Sequence, residues 1–315
     1  MSNKPRKTNL IQRIVRLAIL RLVHLFYPKI KVSGREKLPQ GKPIIFVLNH
    51  PNGLLDPLVL MLGLNREVSF LAASTLFGNI VGRTLCESFG ALPVYRHRDE
   101  GKAGGPQGDM KERNETTFAR CRALLRAGKH MALFPEGTTH GDPELLPFRT
   151  GAARIALSAE AEAAWQMGLQ IVPVGLWYQQ KTIFRSSILL VVGEPLEVNY
   201  YAEAYDEDTY QAARQLTEVI ETGLNQVVSQ AENADLLAAV PVLAAWTAPS
   251  GEGVTLAQQH QWTVRLLKAY HYLQDNDPLR LETIAETARS YANTLQTLGI
   301  SNPWALELPS VKRRR

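Results

Sequence analysis

The sequence is poor in cysteine and has no long apolar run, and each absence removes a class of protein. Only Cys86 and Cys121 occur among the 315 residues, far apart and without a C-x-x-C spacing. A disulfide framework or a cysteine-ligated zinc site is therefore not expected, and a reducing compartment fits. No stretch of about 18 uncharged apolar residues occurs, so the sequence predicts no membrane-spanning helix.

Acidic residues are missing from the start of the chain. Residues 1–36 hold nine lysines and arginines against the single acid Glu36, a charge of +8, whereas residues 37–315 carry about −3 and the whole chain +5. The sequence pI of 9.2 therefore belongs mainly to this arm, and nucleic acid is not an expected partner. A second small basic cluster, residues 312–315, ends the sequence.

The basic arm has the pattern of an amphipathic helix that stops at Pro28. Basic side chains fall near one side, and apolar side chains cover much of the rest: Arg13, Arg16, Arg21 and His24 against Ile11, Val15, Ala18, Leu22 and Leu25. Arginines interrupt the apolar region and no small-residue cleavage site follows, so a signal peptide is not indicated. Such a helix suits the surface of a membrane with anionic lipids, and we expect peripheral (monotopic) attachment to a cytoplasmic membrane face. The alternative is that its apolar side packs on the protein's own core.

From about residue 37 the pattern alternates between strands and helices. Apolar runs of strand length cover residues 43–49, 68–72, 91–95, 130–136, 169–178 and 187–193. Helical patterns cover residues 116–128, 151–168, 203–230 and 255–297, with Asp277-Pro278 as a helix start. Alternation predicts an α/β fold with a mainly parallel sheet flanked by helices, and a helical C-terminal region. The predicted domains are a membrane-associating helix and connector (1–36), an α/β domain (37–200) and a helical region (201–315).

The first candidate site is the segment NHPNGLLDP, residues 49–57, which directly follows a predicted strand. In open α/β sheets ligands bind at the carboxyl ends of strands. A neutral imidazole is the side chain best suited to take a proton near neutral pH, and a carboxylate on its other nitrogen fixes the tautomer. His50 and Asp56 can reach each other across the Asn-Gly turn, and no G-x-S-x-G nucleophile motif occurs. The alternative is a packed histidine beside an aspartate that caps the next helix.

The other candidate residues are small, polar or basic and also lie near strand ends. In the segment FPEGTTH, residues 134–140, Gly137 lets backbone amides approach a ligand and Thr138 offers a hydroxyl. The alternative is that the segment forms a tight turn with a solvent-exposed Glu136. Guanidiniums match phosphate oxygens, and the candidates for a phosphate are Arg96, Arg149 and Arg185. Each of these arginines could equally be a surface residue. The polar segment 97–115 follows a strand end and could flank or cover the site.

Four segments in this order resemble the four motifs of the glycerolipid acyltransferase family, which includes glycerol-3-phosphate and lysophosphatidate acyltransferases. The histidine and aspartate of its H-x4-D motif are matched by His50 and Asp56. Its second motif is matched by residues 90–96, ending in Arg96, its F-P-E-G-T motif by residues 134–138, and its proline-bearing fourth motif by residues 171–174. The resemblance covers roughly residues 30–200.

The resemblance implies the function and the roles of the residues. It implies an acyl-CoA or acyl-carrier-protein donor, a glycerol-phosphate acceptor, no cofactor or metal, His50 as general base with Asp56, and acceptor-phosphate contacts from Arg96 and from Glu136, Gly137 and Thr138. Thr139-His140 stands where many bacterial members have an arginine. The segments NHPNGLLDP, LLPFRTGAARIAL and KTIFRS resemble the branch of glycerol-3-phosphate and dihydroxyacetone-phosphate acyltransferases seen in yeasts. The acceptor is therefore open among glycerol 3-phosphate, its monoacylated form, another lysophospholipid and dihydroxyacetone phosphate.

Two rival functions come from other classes of protein. A metal-dependent hydrolase would use His50, Asp56 and His140 as ligands, although no H-x-H or H-E-x-x-H spacing supports a metal. A membrane-bound scaffold would keep the fold without catalysis, although a chain without activity need not retain His50, Asp56, Glu136 and Gly137 together.

Overall fold

The fold is organised around one eight-stranded sheet. The computed structural model describes residues 10–102, 105, 108–230, 240, 243–244 and 255–300. The described chain divides into two compact units, Met1–His140 with Leu146–Val228, and Gly141–Leu145 with Ser229–Arg315. The first unit extends beyond residue 200, where the sequence analysis placed the end of the α/β domain.

The sheet is mainly parallel, as the alternating pattern predicted. Its strands are β1 (Lys29–Ser33), β2 (Ile44–Leu48), β3 (Val68–Ala73), β4 (Ala91–Val94), β5 (His130–Leu133), β6 (Gln170–Tyr178), β7 (Ser187–Val192) and β8 (Leu196–Glu197). The order is β1-β7-β6-β2-β5-β3-β4, and β8 pairs with β6. Only the pairings of β6 with β7 and with β8 are antiparallel among the described strands.

All six strands that apolar runs predicted are present. β2 is buried along its whole length, as expected for a central strand covered on both faces. β1 was not predicted, because it has only five residues, none of them fully buried, at the edge of the sheet. β1 instead pairs in parallel with β7.

Helices cover the sheet, and their ends follow local signals. In the first unit they are α1 (Leu10–Phe26), α2 (Leu55–Leu64), α3 (Ile80–Ser88), α4 (Met110–Arg126), α5 (Gly151–Glu162), α6 (Ala202–Glu207) and α7 (Thr209–Asn225). α1 ends before Pro28, as predicted, and the side chain of Asp109 caps the start of α4. α4 therefore begins inside the segment predicted as a loop. The sequence analysis did not predict α2 and α3.

α1 has one face on the core and one face exposed. Val23 is buried, and Ile19, Leu20 and Phe26 pack against the main hydrophobic core. The opposite face exposes six large apolar side chains to between 57 and 72%: Leu10, Ile11, Ile14, Leu17, Leu22 and Leu25. No helix within the described ranges is long and apolar enough to cross a membrane. Residues 1–9, with three of the basic residues of the arm, lie outside the described residues.

The second unit contains two long helices, α8 (Leu256–Asn276) and α9 (Pro278–Thr297). A capping box of Thr255 and Gln258 starts α8, and Pro278 is the first residue of α9 after the N-cap Asp277. The predicted break at Asp277-Pro278 is therefore confirmed. The C-terminal basic cluster, residues 312–315, lies outside the described residues.

Candidate active site

The carboxyl ends of neighbouring parallel strands bring the motif segments together. β2 pairs in parallel with β5 on one side and with β6 on the other. His50 follows β2, Phe134 follows β5, and Tyr178 is the last residue of β6. The three segments therefore meet at one edge of the sheet, where open α/β sheets place their ligands.

His50 and Asp56 form a hydrogen-bonded pair. The Nδ1 atom of His50 lies 2.9 Å from Oδ2 of Asp56, which is in the first turn of α2. Five residues separate the two, one more than in the H-x4-D pattern, and the turn at Gly53, with φ of +57°, accommodates the longer spacing. The predicted pairing of these two side chains is thus present in the structure.

The carboxylate of Asp56 is fully buried and is held by three donors. Oδ2 accepts from the backbone N–H of Asn52 at 2.8 Å as well as from His50, and Oδ1 accepts from the hydroxyl of Tyr178 at 2.7 Å. Burial, followed by the negative charge of Asp56, raises the pKa of Tyr178 well above its ordinary value. Tyr178 therefore remains a hydroxyl donor at neutral pH.

The imidazole of His50 is fixed by packing as well as by its hydrogen bond. Its ring stacks on the ring of Phe134, with centroids 3.9 Å apart and planes at 24°. The preceding residue, Asn49, exchanges two hydrogen bonds with the backbone of Leu176 in β6, at 2.8 and 3.1 Å. Since Nδ1 is engaged by Asp56, Nε2 is the nitrogen left to take a proton from a ligand.

A cavity of about 1260 Å³ opens beside His50. Its lining includes apolar residues, more cationic than acidic residues, and His50 itself: Leu54, Phe70, Leu71, Leu76, Phe118 and Leu133; Arg96, Arg98, Lys102, Lys111, Arg149 and Arg154; and Asp99, Glu100 and Asp109. Gly108 to Lys111 also line it, so part of the predicted loop 97–115 does flank the cavity. Such a lining suits a ligand that has an apolar chain and an anionic group.

Three arginines of the lining, Arg96, Arg98 and Arg149, lie close together and form the arginine end of the cavity. Partial burial, followed by the positive charge of Arg96, lowers the pKa of Arg98, and Arg149 contributes in the same direction. The Nε atom of Arg96 donates to Asp99 at 2.6 Å. Burial alone would raise the pKa of Asp99, but hydrogen bonds from Arg96 and Lys102 bring it below its ordinary value. A cluster of like charges of this kind is favourable for binding an anion.

The segment after β5 contacts two of the arginines at this arginine end. Arg98 donates to the hydroxyl of Thr138 at 2.9 Å and to the carbonyl of Gly137 at 3.2 Å. Gly137 has φ of +68°, and a Cβ atom built there would lie 2.9 Å from Nε of Arg149. The absence of a side chain at Gly137 thus lets Arg149 lie directly over the turn.

The structure places most of the predicted site residues on the cavity, but not all. Arg96, Gly137, Thr138 and Arg149 line it together with His50, while the buried Asp56 lies behind His50. Glu136, for which the resemblance implies a phosphate contact, does not line the cavity: its side chain is buried, and Oε2 of its carboxylate contacts Nε2 of His140 and accepts from the backbone N–H of Leu146. Glu136 holds the following loop, and a carboxylate would in any case repel a phosphate.

Arg185, a predicted phosphate-binding residue, does not line the cavity either. It is exposed in the hairpin between β6 and β7, where its backbone N–H donates to the carbonyl of Phe26 at 2.7 Å. Its φ of +65° belongs to that turn. The segment KTIFRS is therefore attached to the end of α1, and the guanidinium is outside the arginine end of the cavity.

Sequence reasoning missed several side chains that form the site. Phe134 was part of a quoted motif but had no role, and Arg98 lies only two residues beyond Arg96. Nothing in the local pattern marks Tyr178 as a partner of Asp56, because the two are 122 positions apart and meet only through the pairing of β2 with β6.

The described residues contain no group of three His, Cys, Asp or Glu side chains arranged to hold a metal ion. His140, the third ligand of the metal-hydrolase alternative, instead binds Glu136. His50 and His140 each have a carboxylate partner of their own.

Comparison with known proteins shows similarity to acyltransferases. The sequence profile of the Acyltransferase family matches residues 29–177, from the start of β1 to the penultimate residue of β6. Glycerol-3-phosphate O-acyltransferase 2 of Saccharomyces cerevisiae is 30% identical over 63% of this chain and 26% of its own length. An uncharacterised acyltransferase of Schizosaccharomyces pombe is 26% identical over 89% of this chain and 53% of its own length.

The human 1-acyl-sn-glycerol-3-phosphate acyltransferase alpha is 29% identical over a shorter part, 47% of this chain and 48% of its own length. The relatives that the chain resembles thus include both glycerol-3-phosphate and 1-acyl-sn-glycerol-3-phosphate acyltransferases, and residues 29–177 match the Acyltransferase family. It spans about half or less of the length of these curated relatives.

Proposed function

We propose that the protein transfers a fatty acyl group from a thioester, acyl-CoA or acyl-carrier protein, to a hydroxyl of a glycerol-phosphate acceptor in phospholipid biosynthesis. The observation that carries the proposal is that the His50–Asp56 pair lies at a cavity whose lining also includes Arg96, Arg98 and Arg149. His50 can take a proton from a hydroxyl, and the arginines can bind the phosphate of the same acceptor.

In the proposed reaction, the acceptor phosphate binds Arg96, Arg98 and Arg149, which orients its hydroxyl toward His50. Nε2 of His50 takes the hydroxyl proton as the oxygen attacks the thioester carbonyl, and Asp56 stabilises the imidazolium that forms. When the tetrahedral intermediate collapses, the C–S bond breaks and the thiolate leaves. The proton on His50 can pass to this thiolate, so no group on the protein is changed after one turnover.

The preferred acceptor is glycerol 3-phosphate. Its support is the similarity to the yeast glycerol-3-phosphate O-acyltransferase, which covers more of this chain than the similarity to the human 1-acyl-sn-glycerol-3-phosphate acyltransferase. Lysophosphatidate and dihydroxyacetone phosphate are the alternatives. The apolar residues of the cavity lining can contact the acyl chain of the donor.

We also propose that the exposed face of α1 binds a membrane surface that carries anionic lipids. Its six exposed apolar side chains are accompanied by Arg13 and Arg21, which are also exposed. α3, which packs beside α1, begins with Ile80 and Val81, exposed to 82 and 79%. Arginines among apolar side chains suit the boundary between lipid headgroups and acyl chains.

The catalytic proposal is tested with purified protein and acyl-CoA, offering glycerol 3-phosphate, dihydroxyacetone phosphate and lysophosphatidate separately. We expect acyl transfer to glycerol 3-phosphate, and a loss of at least about a thousandfold in His50→Ala, which removes the base. A folded His50→Ala protein that retained full activity would refute the assignment of the base. Transfer that requires lysophosphatidate would move the proposal to that acceptor.

The membrane proposal is tested by liposome co-sedimentation of Leu17→Glu and Leu25→Glu, two exposed positions on α1. Substitution is preferable to deletion of residues 1–28, because deletion would also remove the buried Val23 and Tyr27. Tyr210→Glu, an equally exposed position on α7, is the matched control. We expect only the α1 variants to lose binding to vesicles with anionic lipid; unchanged binding in both would contradict the proposal.

A further inference from the structure

The loop that carries His50 is attached to two elements from distant parts of the chain. The hydroxyl of Tyr27, just after α1, donates to the carbonyl of Lys181 and accepts from Nδ2 of Asn52 at 3.3 Å. The ammonium of Lys181, in the β6–β7 hairpin, donates to the carbonyl of Pro51 at 2.9 Å. The end of α1 and the hairpin therefore bind the loop together.

The same two elements also approach Asp56. Tyr178, at the end of β6, donates to Oδ1 of Asp56, and its ring meets that of Tyr27 edge to face at 5.6 Å. Asn52 contacts Tyr27 through its side chain and Asp56 through its backbone N–H. Two tyrosines thus lie behind the His50–Asp56 pair, on the side away from the cavity lining.

We infer that Tyr178 is a positioning residue for the His50–Asp56 pair and that Tyr27 supports the same pair through Asn52. This inference rests on the proposed acyl transfer and deepens it. Neither tyrosine lines the cavity, so neither is expected to contact substrate. Their effect is on the orientation of the carboxylate and, through it, of the imidazole.

The physical reason is the complete burial of Asp56. Its two oxygens accept from Tyr178, Asn52 and His50, and a buried carboxylate oxygen without a donor is strongly unfavourable. Without the Tyr178 hydroxyl, the carboxylate can recover a partner only by rotating or by admitting water. Either change alters its bond to His50, and a misplacement of about 1 Å at a catalytic group can cost about a hundredfold in rate.

Tyr178→Phe removes the hydroxyl and keeps the ring, so it tests the hydroxyl alone. The aromatic contacts among Phe26, Tyr27, Tyr178 and Phe184 depend on the rings and remain in Tyr178→Phe. The variant is therefore expected to fold. Tyr201→Phe is the matched control, because Tyr201 is partly buried in the turn before α6 and does not line the cavity.

The kinetic test measures kcat and the acceptor KM for Tyr178→Phe, Tyr27→Phe and Tyr201→Phe. We expect kcat to fall about ten- to a hundredfold in Tyr178→Phe and a few-fold in Tyr27→Phe, with KM changed less than about twofold. When Tyr178→Phe is added to Asp56→Asn, we expect little further loss of kcat, because the carboxylate that the hydroxyl orients is already absent. A kcat in Tyr178→Phe equal to that of the unsubstituted enzyme would overturn the inference.

A spectroscopic test does not depend on turnover. In protein labelled with ¹⁵N-histidine, the His50 resonances, assigned with His50→Gln, report which ring nitrogen carries the proton. We expect an Nδ1–H tautomer in the unsubstituted protein, a mixed or exchanging state in Tyr178→Phe, and no change in Tyr201→Phe. Unchanged His50 resonances in Tyr178→Phe would overturn the inference even if activity fell. A changed His50 signal in a protein that transfers no acyl group would leave the positioning role intact and refute the proposed function.

Discussion

The His50 end and the arginine end of the cavity differ in how far their charged groups are paired within the protein. At the His50 end, both oxygens of the buried Asp56 have donors, and the imidazole is fixed by a hydrogen bond and by the ring of Phe134. At the arginine end, Arg98 is exposed and its pKa is lowered by partial burial and by neighbouring arginines. The carboxylate at the His50 end has all its hydrogen-bond donors within the protein, whereas the arginine end carries an excess of positive charge.

The difference matches the two tasks of the proposed reaction. A proton transfer depends on one orientation of the base, and a satisfied, packed network provides it before substrate arrives. Binding an anion needs positive charge that the protein does not fully neutralise itself. Asparagines serve both ends: Asn49 bonds the backbone of Leu176 near His50, and Asn114 exchanges two 2.9 Å bonds with the backbone of Tyr95 beside Arg96.

The largest effect is expected from Asp56→Asn, which tests whether the His50 end depends on its carboxylate. An amide keeps the shape but can turn its NH₂ group toward His50 or Tyr178, so the tautomer of the imidazole is no longer fixed. We expect kcat to fall by about a thousandfold or more, with the acceptor KM nearly unchanged. The measurement is steady-state kinetics on protein whose circular dichroism and melting temperature have been checked.

Asp208→Asn is the matched control for that substitution. Asp208 caps α7 through its side chain and does not line the cavity, and asparagine is an equally good cap. Its kinetics should equal those of the unsubstituted protein. If Asp56→Asn lost less than about tenfold in kcat, the carboxylate would not be what fixes the base, and the contrast between the two ends would fail.

The sequence was sufficient for six of the eight strands of the sheet and for the His50–Asp56 pair, because both follow local patterns. Strands buried on both faces are apolar throughout, and the pair lies within a few residues along one loop. α2 was missed because eight of its ten residues are buried, so it has no polar face to reveal a helical period. The periodicity of a short apolar run such as α2 does not distinguish a buried strand from a buried helix.

Glu136 and Arg185 lie away from the cavity lining for a common reason, which is that the path of a loop cannot be predicted from its composition. Glu136 follows a strand end as expected, yet the loop after it turns back so that Leu146 and His140 bind its carboxylate. Arg185 was grouped with the phosphate-binding arginines by residue type, but its hairpin leads to the end of α1. The contact of Tyr178 with Asp56 could be recognised only from the pairing of β2 with β6 in the structure.

The next largest effect is expected at the arginine end, from Arg98→Ala. A charge-assisted hydrogen bond contributes about 1.5–3 kcal/mol, so we expect the acceptor KM to rise by about ten- to a hundredfold while kcat falls less. Arg98→Lys should recover part of the loss, because the charge returns without the planar fork. Arg185→Ala is the control, since Arg185 is outside the cavity, and it should leave KM unchanged. An equal rise in KM for both variants would show that the acceptor binds elsewhere.

The smallest effect is expected from Gly137→Ala, which alters the arginine end without removing any charge. A Cβ at Gly137 would lie 2.9 Å from Nε of Arg149, so the guanidinium must move away from the turn. Gly41→Ala has the same φ of +68° with no atom within 4 Å, so it carries the same backbone strain, about 1–2 kcal/mol, without the displacement. We expect similar losses of melting temperature in both variants, but a rise of a few-fold in the acceptor KM only in Gly137→Ala. If both variants kept the original KM, the position of Arg149 would not matter for the acceptor, and the excess charge at this end would act through Arg96 and Arg98 alone.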